Sequence, residues 1–239
     1  FKNNEIKNKD LIREVIKKCK RIHVVGLISD GGVHGHQDHL FELIEILNKN
    51  NPEIFVHCIL DGRDSSPISG VENVGLLLKK IAKRNNIKVS SIVGRFFALD
   101  RDNRWERVEK AYRAIIEGSA KKRNDHIVAI KESYEKHVTD EFFEAVNFGN
   151  YSGAKDGDGF FITNYRADRV RELLSSIFDD DFDFFDRGTQ PKFFSPISMV
   201  EYSKRLKKKI KPIFESIQIK KTLGEVVSCF GLKQLRVAE

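Results

Sequence analysis

Cysteine is scarce in this 239-residue chain: Cys19, Cys58 and Cys229 are the only three. An odd, widely spaced set without a CxxC pair excludes a disulfide framework and points to a reducing compartment, where free thiols are buried or inert. Proline (5) and glycine (16) are too few for a low-complexity linker or a collagen-like repeat. No run approaches the ~18 apolar residues that a membrane helix needs. The opening FKNNEIKNKD has no apolar segment of the kind a secretory leader carries. The chain has no initiator methionine and stops at LRVAE, so it is expected to be a piece of a longer protein.

At 40% hydrophobic and 32% charged residues, a core can be buried and wholesale disorder is excluded. Lys+Arg 42 against Asp+Glu 35 leaves a net charge of +7. Basic runs such as 17–21, 121–123 and 204–211 read as solvated faces. A nucleic-acid binder would interleave basic residues with exposed aromatics or carry a known motif, and neither is found. A small anion is the better partner. No membrane partner is expected.

Short β-branched runs alternate with longer amphipathic ones. The spacing predicts strands at 22–29, 54–60, 87–93 and 159–163. Helices are predicted over 10–20, from Leu40 through Leu47, over 69–84 with Ser69 as N-cap, around Trp105 to Ile115, and over 167–177. Trp105 and Tyr112 read as packing residues. The Asp- and Phe-rich stretch 178–195 has no clear period and reads as an excursion. Residues 200–216 read as a basic helix or linker, and 222–238 as a helix followed by the start of a strand. Such alternation implies an α/β fold with a mostly parallel sheet and helices on both faces.

The loops after the strands carry the chemistry. They are 30-DGGVHGH-36, 61-DGRD-64, 94-GRFFALDRDNR-104 and 164-NYRADR-169. In a parallel sheet these loops share the carboxyl edge, where ligands bind. That edge therefore collects His34, Arg63, Asp64, Arg95, Arg101, Arg166 and Arg169. Five guanidinium groups in one cleft ask for an anion, and their planar forks match phosphate and carboxylate. Asp64, a carboxylate among cations, is the candidate proton acceptor. The histidines at 34, 36 and 39 suggest a metal. However, zinc wants three or four ligands in fixed geometry, and His36 and His39 fall at a helix start, so His34 reads as an anion ligand and no metal site is assigned. The aspartates of 179–186 do not have calcium-loop spacing.

At these residues the chain resembles the cofactor-independent (2,3-bisphosphoglycerate-independent) phosphoglycerate mutases. The matching stretches are 27–40, 61–67, 94–112, 133–142, 162–172 and 222–239. The resemblance implies the inserted phosphotransferase domain of a two-domain enzyme, with 1–8 as a hinge, 9–221 as the substrate-binding domain and 222–239 as a return segment. It implies that the serine nucleophile and two manganese ions belong to an alkaline-phosphatase-like domain absent from this chain. The same seven residues are implied to bind substrate, with Asp64 as acid/base. The reaction implied is interconversion of 3-phosphoglycerate and 2-phosphoglycerate through a phosphoserine, by a cytoplasmic monomer, the fragment alone being inactive. Two other readings stand beside it: a stand-alone small-anion-binding module, and a metal-dependent hydrolase using the histidine cluster.

Overall fold

A computed structural model describes residues 10–188, 190–214 and 220–237. Helix α1 is Asp10–Lys18, followed by β1 (Arg21–Ile28), α2 (Gln37–Leu47), β2 (Glu53–Leu60), α3 (Gly70–Ile81) and β3 (Ile87–Gly94). The short α4 (Arg95–Ala98) and α5 (Trp105–Tyr112) come next, and a π-helical turn at Arg113–Glu117 extends α5. Then come β4 (Lys121–Arg123), α6 (His126–Glu135), a 3₁₀ turn at Asp140–Phe142, β5 (Val146–Phe148), β6 (Gly159–Ile162) and α7 (Arg171–Phe178). The described chain ends with β7 (Phe194–Ser198), α8 (Lys204–Lys207), β8 (Lys211–Pro212) and α9 (Leu223–Cys229).

The sheet order is β4-β5-β3-β2-β1-β6-β7-β8. Strands β3, β2, β1, β6, β7 and β8 are mutually parallel, while β5 pairs antiparallel to β3 and carries β4 with it. Along β1, Ile22, Val24 and Ile28 enter one core, and Val25 and Leu27 enter the other. A run buried on both faces leaves no polar alternation, which is why the parallel strands read as continuous apolar segments. The first core is closed by α1, α2, α3 and α6, and the second by α5, α7 and α8.

The four predicted central strands are present, and β4, β5, β7 and β8 add to them. The last four are two to five residues long and carry too few apolar positions to show a period. Ser69 does not cap α3 as expected. Its hydroxyl donates to Ser66 O, and the carboxylate of Asp140 accepts from Gly70 N at 2.7 Å. A long-range side chain does the work that local sequence assigned to a serine. Within stretch 200–216 the described residues, up to 214, form a four-residue helix and a two-residue strand, and the described residues of 222–238 contain α9 and no strand after it. The excursion after α7 is knit by buried Arg187, whose guanidinium donates to the carbonyls of Ser176, Asp179 and Phe182. Tyr112 is buried and Trp105 stacks on Phe184 at 4.2 Å. Of the three thiols expected to be buried or inert, Cys19 and Cys58 are buried and Cys229 is exposed on α9. No helix among the described residues is long and apolar enough to cross a membrane.

Candidate functional site

Because β1, β2, β3 and β6 are parallel, their carboxyl ends open on one edge, and all seven predicted residues stand there. The centre is Arg95, the first residue after β3, with its side chain 2% exposed. Its Nη1 donates to Asp61 Oδ1 at 2.6 Å and to Asp64 Oδ2 at 2.5 Å. Asp61 is buried and also accepts from Ser29 Oγ at 2.6 Å and from the amide of Asp64 at 3.1 Å. Burial alone would raise the Asp61 carboxyl. The Ser29 hydroxyl, the Asp64 amide and Arg95 together hold it below the usual range.

A second carboxylate organises the outer arginines. Asp168 Oδ2 accepts from Arg101 Nη1 at 2.9 Å, and Asp168 Oδ1 lies 3.0 Å from Arg166 Nε. Burial pushes this carboxyl up, but the charges of Arg166, His34 and Arg101 overcome that and lower it. The buried ring of His34 stands between the two carboxylate centres, its Nε2 3.9 Å from Asp64 Oδ2 and its Nδ1 3.7 Å from Asp168 Oδ1. Both distances exceed a hydrogen bond, and Nδ1 has no hydrogen-bond partner among the described residues. Burial, then the Arg95 charge, lowers the His34 pKa, so the ring is neutral at pH 7. A neutral imidazole offers one donor and one acceptor.

Arg169 donates to Leu99 O at 3.2 Å. Its pKa is lowered by burial and then by the charges of Arg101, Arg95 and Arg63. Arg63 sits at the rim, with Nη1 3.3 Å from Glu141 Oε1. The heads of Arg63, Arg101 and Arg166 are about half exposed, at 58%, 47% and 49%, while Arg95 is committed inward.

Backbone fit fixes the 61–64 and 94–95 loops against the turn at 140–142. Gly62 has φ +68°, and a Cβ there would stand 2.8 Å from Glu141 N. A Cβ on Gly94 would stand 2.3 Å from Glu141 O. Gly94→Ala is expected to displace that turn and cost about 1–3 kcal/mol, read as a lower denaturation midpoint. An unchanged midpoint would show that the two segments do not pack this closely.

The sequence reading missed the carboxylates that hold the arginines, namely Asp61, Asp168 and Glu141, and the hydroxyl of Ser29. Asp61 opens DGRD and Asp168 lies inside RADR. An acid beside arginines in each motif was the available signal. Asn164, fully buried at the end of β6 beside Gly35, was also missed, and its side-chain amide has no partner among the described residues.

The three histidines do not converge on one point, although the rings of His36 and His39 are 5.7 Å apart. His36 caps α2, its Nδ1 accepting from Asp38 N at 3.2 Å, while His34 turns into the cleft. No group of three or more His, Cys, Asp or Glu side chains among the described residues is arranged to hold a metal ion. A cavity of about 720 Å³ lies at the opposite, amino edge of the sheet beside Arg21, Arg84 and Lys88. Those cations are paired with Asp158, Glu45 and Glu53. The carboxyl edge, with its half-exposed guanidinium heads, is the better candidate site.

Comparison with known proteins matches a family model described as the BPG-independent PGAM N-terminus to residues 1–204. Proteins named 2,3-bisphosphoglycerate-independent phosphoglycerate mutase are similar over nearly the whole chain. That of Cereibacter sphaeroides is 38% identical over 231 residues, 97% of this chain and 45% of its own length. That of Sulfurimonas denitrificans is 39% identical over 236 residues, 99% and 47% respectively. A crystal structure of Leishmania mexicana phosphoglycerate mutase at low cobalt concentration superposes with a TM-score of 0.86 at 28% identity, covering 96% of this chain and 45% of that one. The chain thus spans about half the length of the proteins it matches.

Proposed function

Since the chain belongs to the BPG-independent phosphoglycerate mutase family, we propose that it supplies the glycerate-binding half of such an enzyme. The enzyme is an isomerase that moves a phosphoryl group between the 3- and 2-hydroxyls of glycerate. One observation carries this reading: Asp64, Arg95, Arg101, Arg166 and His34, from four strand-end loops, meet around Arg95 and Asp168, with Arg63 and Arg169 on the same edge.

In this reading the half-exposed heads of Arg63, Arg101 and Arg166 take the carboxylate and phosphate oxygens, and Arg169 adds charge from behind. His34, neutral and uncommitted at Nδ1, hydrogen-bonds a substrate oxygen. Asp64, held by Arg95, takes a proton from whichever glycerate hydroxyl is about to receive the phosphoryl group and returns it to the other. Arg95 keeps Asp64 oriented. A serine that carries the phosphoryl group between the two hydroxyls, and the two manganese ions that would stabilise its charge, are assigned to the rest of the full-length enzyme. The described residues offer no donor set for a metal, and no step here is routed through one. The isolated chain is accordingly expected to bind without turning over.

The domain limits come from the same proposal. The hinge at 1–8 lies outside the described residues, as does 215–219 within a second hinge placed in 200–222. The return segment from 222 exposes Leu223, Phe230, Leu232, Leu235 and Val237, which supports its packing on the remainder of the enzyme. The proposed whole is a cytoplasmic monomer.

Calorimetric titration of the chain with 3-phosphoglycerate tests the reading. Arg101→Ala and Arg166→Ala should each weaken binding by about 1.5–3 kcal/mol, the value of a hydrogen bond to a charged group. Equal affinity in wild type and both variants would reject the site. Binding that persists undiminished in a full-length enzyme devoid of turnover would favour the anion-binding module.

A further inference from the structure

Arg101 sits in a turn, 100–104, held almost entirely by two acids that take no part in the cluster above. Asp100 is buried, and its Oδ2 accepts from the amides of Asp102 at 2.9 Å and Arg104 at 3.0 Å. Glu172, in the first turn of α7, is 9% exposed, and its Oε1 accepts from the amide of Asn103 at 3.0 Å. Asn103 has φ +58°, a left-handed conformation that the turn must enforce. The other carboxyl oxygen, Glu172 Oε2, has no donor among the described residues. The Asp100 carboxyl lies within hydrogen-bonding reach of the Glu172 carboxyl. Two buried carboxylates side by side repel, and a shared proton turns that repulsion into a hydrogen bond.

We propose that Glu172 is a positioning residue: its Oε2 carries a proton donated to the Asp100 carboxyl, and the joined pair clamps the turn that presents Arg101 to the anion site. The charged groups around it agree. Asp100 and Asp102 face it from the turn. Arg107, reaching from α5, places its Nη1 3.3 Å from Asp100 Oδ1, on the Asp100 side of the pair. Arg104 is paired with Asp102 at 2.8 Å and also stands 3.8 Å from Asp100 Oδ1, again on the Asp100 side of the pair. Arg101 is turned to Asp168, and Arg169 to Leu99 O. On its own helix, Arg171 is spent on Tyr202 O, and from α8 Arg205 is spent on Asp179 and Asp181. Among the described residues no cation is paired with Glu172. Burial pushes its carboxyl up to about 7 against the pull of the Asn103 amide, with the Asp100 charge adding to the rise. Asp100 is lowered. Burial raises it, but the amides of Asp102 and Arg104, the Glu172 hydrogen bond and Arg107 outweigh that. The proton belongs on Glu172.

The consequence is a grip that loosens with alkali. Above neutrality Glu172 ionises, the clamp becomes a repulsive pair, and Arg101 is held less firmly. Proton and ligand binding are then coupled, and each strengthens the other. This consequence for affinity rests on the proposed role of Arg101, whereas the shared proton does not.

The test separates the two. Carbon-detected NMR of the Glu172 carboxyl, with proton–nitrogen spectra of the Asn103 and Arg104 amides, is followed through a pH titration of the chain. The expected result is one common transition well above the ordinary glutamate value, seen at the carboxyl and at both amides. The amide transitions should vanish in Glu172→Gln, whose amide donates permanently to Asp100. A carboxyl that titrates in the ordinary glutamate range, or amides indifferent to it, overturns the proposal. In parallel, 3-phosphoglycerate affinity of wild type should fall about fivefold or more, relative to Glu172→Gln, between pH ~6 and ~8.5. An identical pH dependence in both proteins refutes the link to Arg101. If neither protein binds, the proposed function fails, and the NMR result still decides the shared proton.

Discussion

Arg95→Met should both unfold the chain more easily, by about 3–5 kcal/mol, and remove phosphoglycerate binding. The stability loss comes from the groups left behind. Arg95 satisfies Asp61 and Asp64 with one nitrogen, and its side chain is 2% exposed. Removing one partner of a buried ion pair strands the other charge, which is far worse than never burying the pair. Here two carboxylates are stranded, and Asp61 is itself buried. The pH dependence gives an independent check. In wild type the Asp61 pKa is depressed below 3.8, so it contributes stability that is complete above that value and fades as pH falls through the folded value. Without Arg95 much of that depression goes, so the variant should approach wild type in acid and fall farthest behind it near neutrality. Arg95→Met/Asp64→Asn should regain part of the stability, because one of the like charges is gone, and none of the binding. The measurement is urea denaturation at several pH values, reading midpoint and slope separately. A stability change under about 1 kcal/mol at neutral pH would mean that the three side chains do not form a buried, mutually dependent centre.

The same centre marks how far sequence could be read. The arginines were visible because each comes after an apolar run and parallel topology puts strand ends together. Asp61 and Asp168 were in plain view within DGRD and RADR. They went unassigned because nothing local says whether an acid beside an arginine faces it, faces solvent or holds a turn. That depends on which loop lies opposite. Ser69 shows the same limit, since its capping role was taken by Asp140, which accepts from Gly70 N across 70 positions. Glu172 looked like an ordinary first-turn acid, and only burial beside Asp100 distinguishes it. The short strands β4, β5, β7 and β8 were illegible for a different reason. Their pairing comes from the edges of a sheet already formed, not from any pattern of their own.

At the amino end of the same sheet, Asp158→Ala should cost about 3–5 kcal/mol while leaving phosphoglycerate affinity intact. A buried chain of hydrogen bonds crosses three strands there. Asp158 Oδ2 lies 2.9 Å from His23 Nε2, His23 Nδ1 lies 3.0 Å from His57 Nε2, and His57 Nδ1 lies 2.8 Å from Ser91 Oγ. Asp158 is acceptor-only, so it must take a proton from His23 Nε2. That leaves His23 Nδ1 bare to accept from His57 Nε2, and His57 Nδ1 bare to accept from the Ser91 hydroxyl. One carboxylate thus fixes both tautomers, with both rings neutral. It also receives Arg21 Nε at 3.2 Å and the amide of Lys155 at 2.8 Å. Deleting it strands a buried ring and a half-buried guanidinium together. Acid should have a related effect. Burial lowers the pKa of His23 against the pull of Asp158, and burial followed by the charge of His23 lowers that of His57 further. The unfolded chain takes up those protons near 6.5 and the folded one does not, so stability is complete above 6.5 and falls as pH drops below it. Two such groups give a slope of about 2.7 kcal/mol per pH unit at full effect. His23→Leu/His57→Leu/Ser91→Ala, which replaces the chain by apolar groups, should flatten that limb. If wild type and the triple variant lose stability equally between pH ~7 and ~5, the neutral relay is wrong. If Asp158→Ala abolishes ligand binding while the chain remains folded, the two edges of the sheet are not independent.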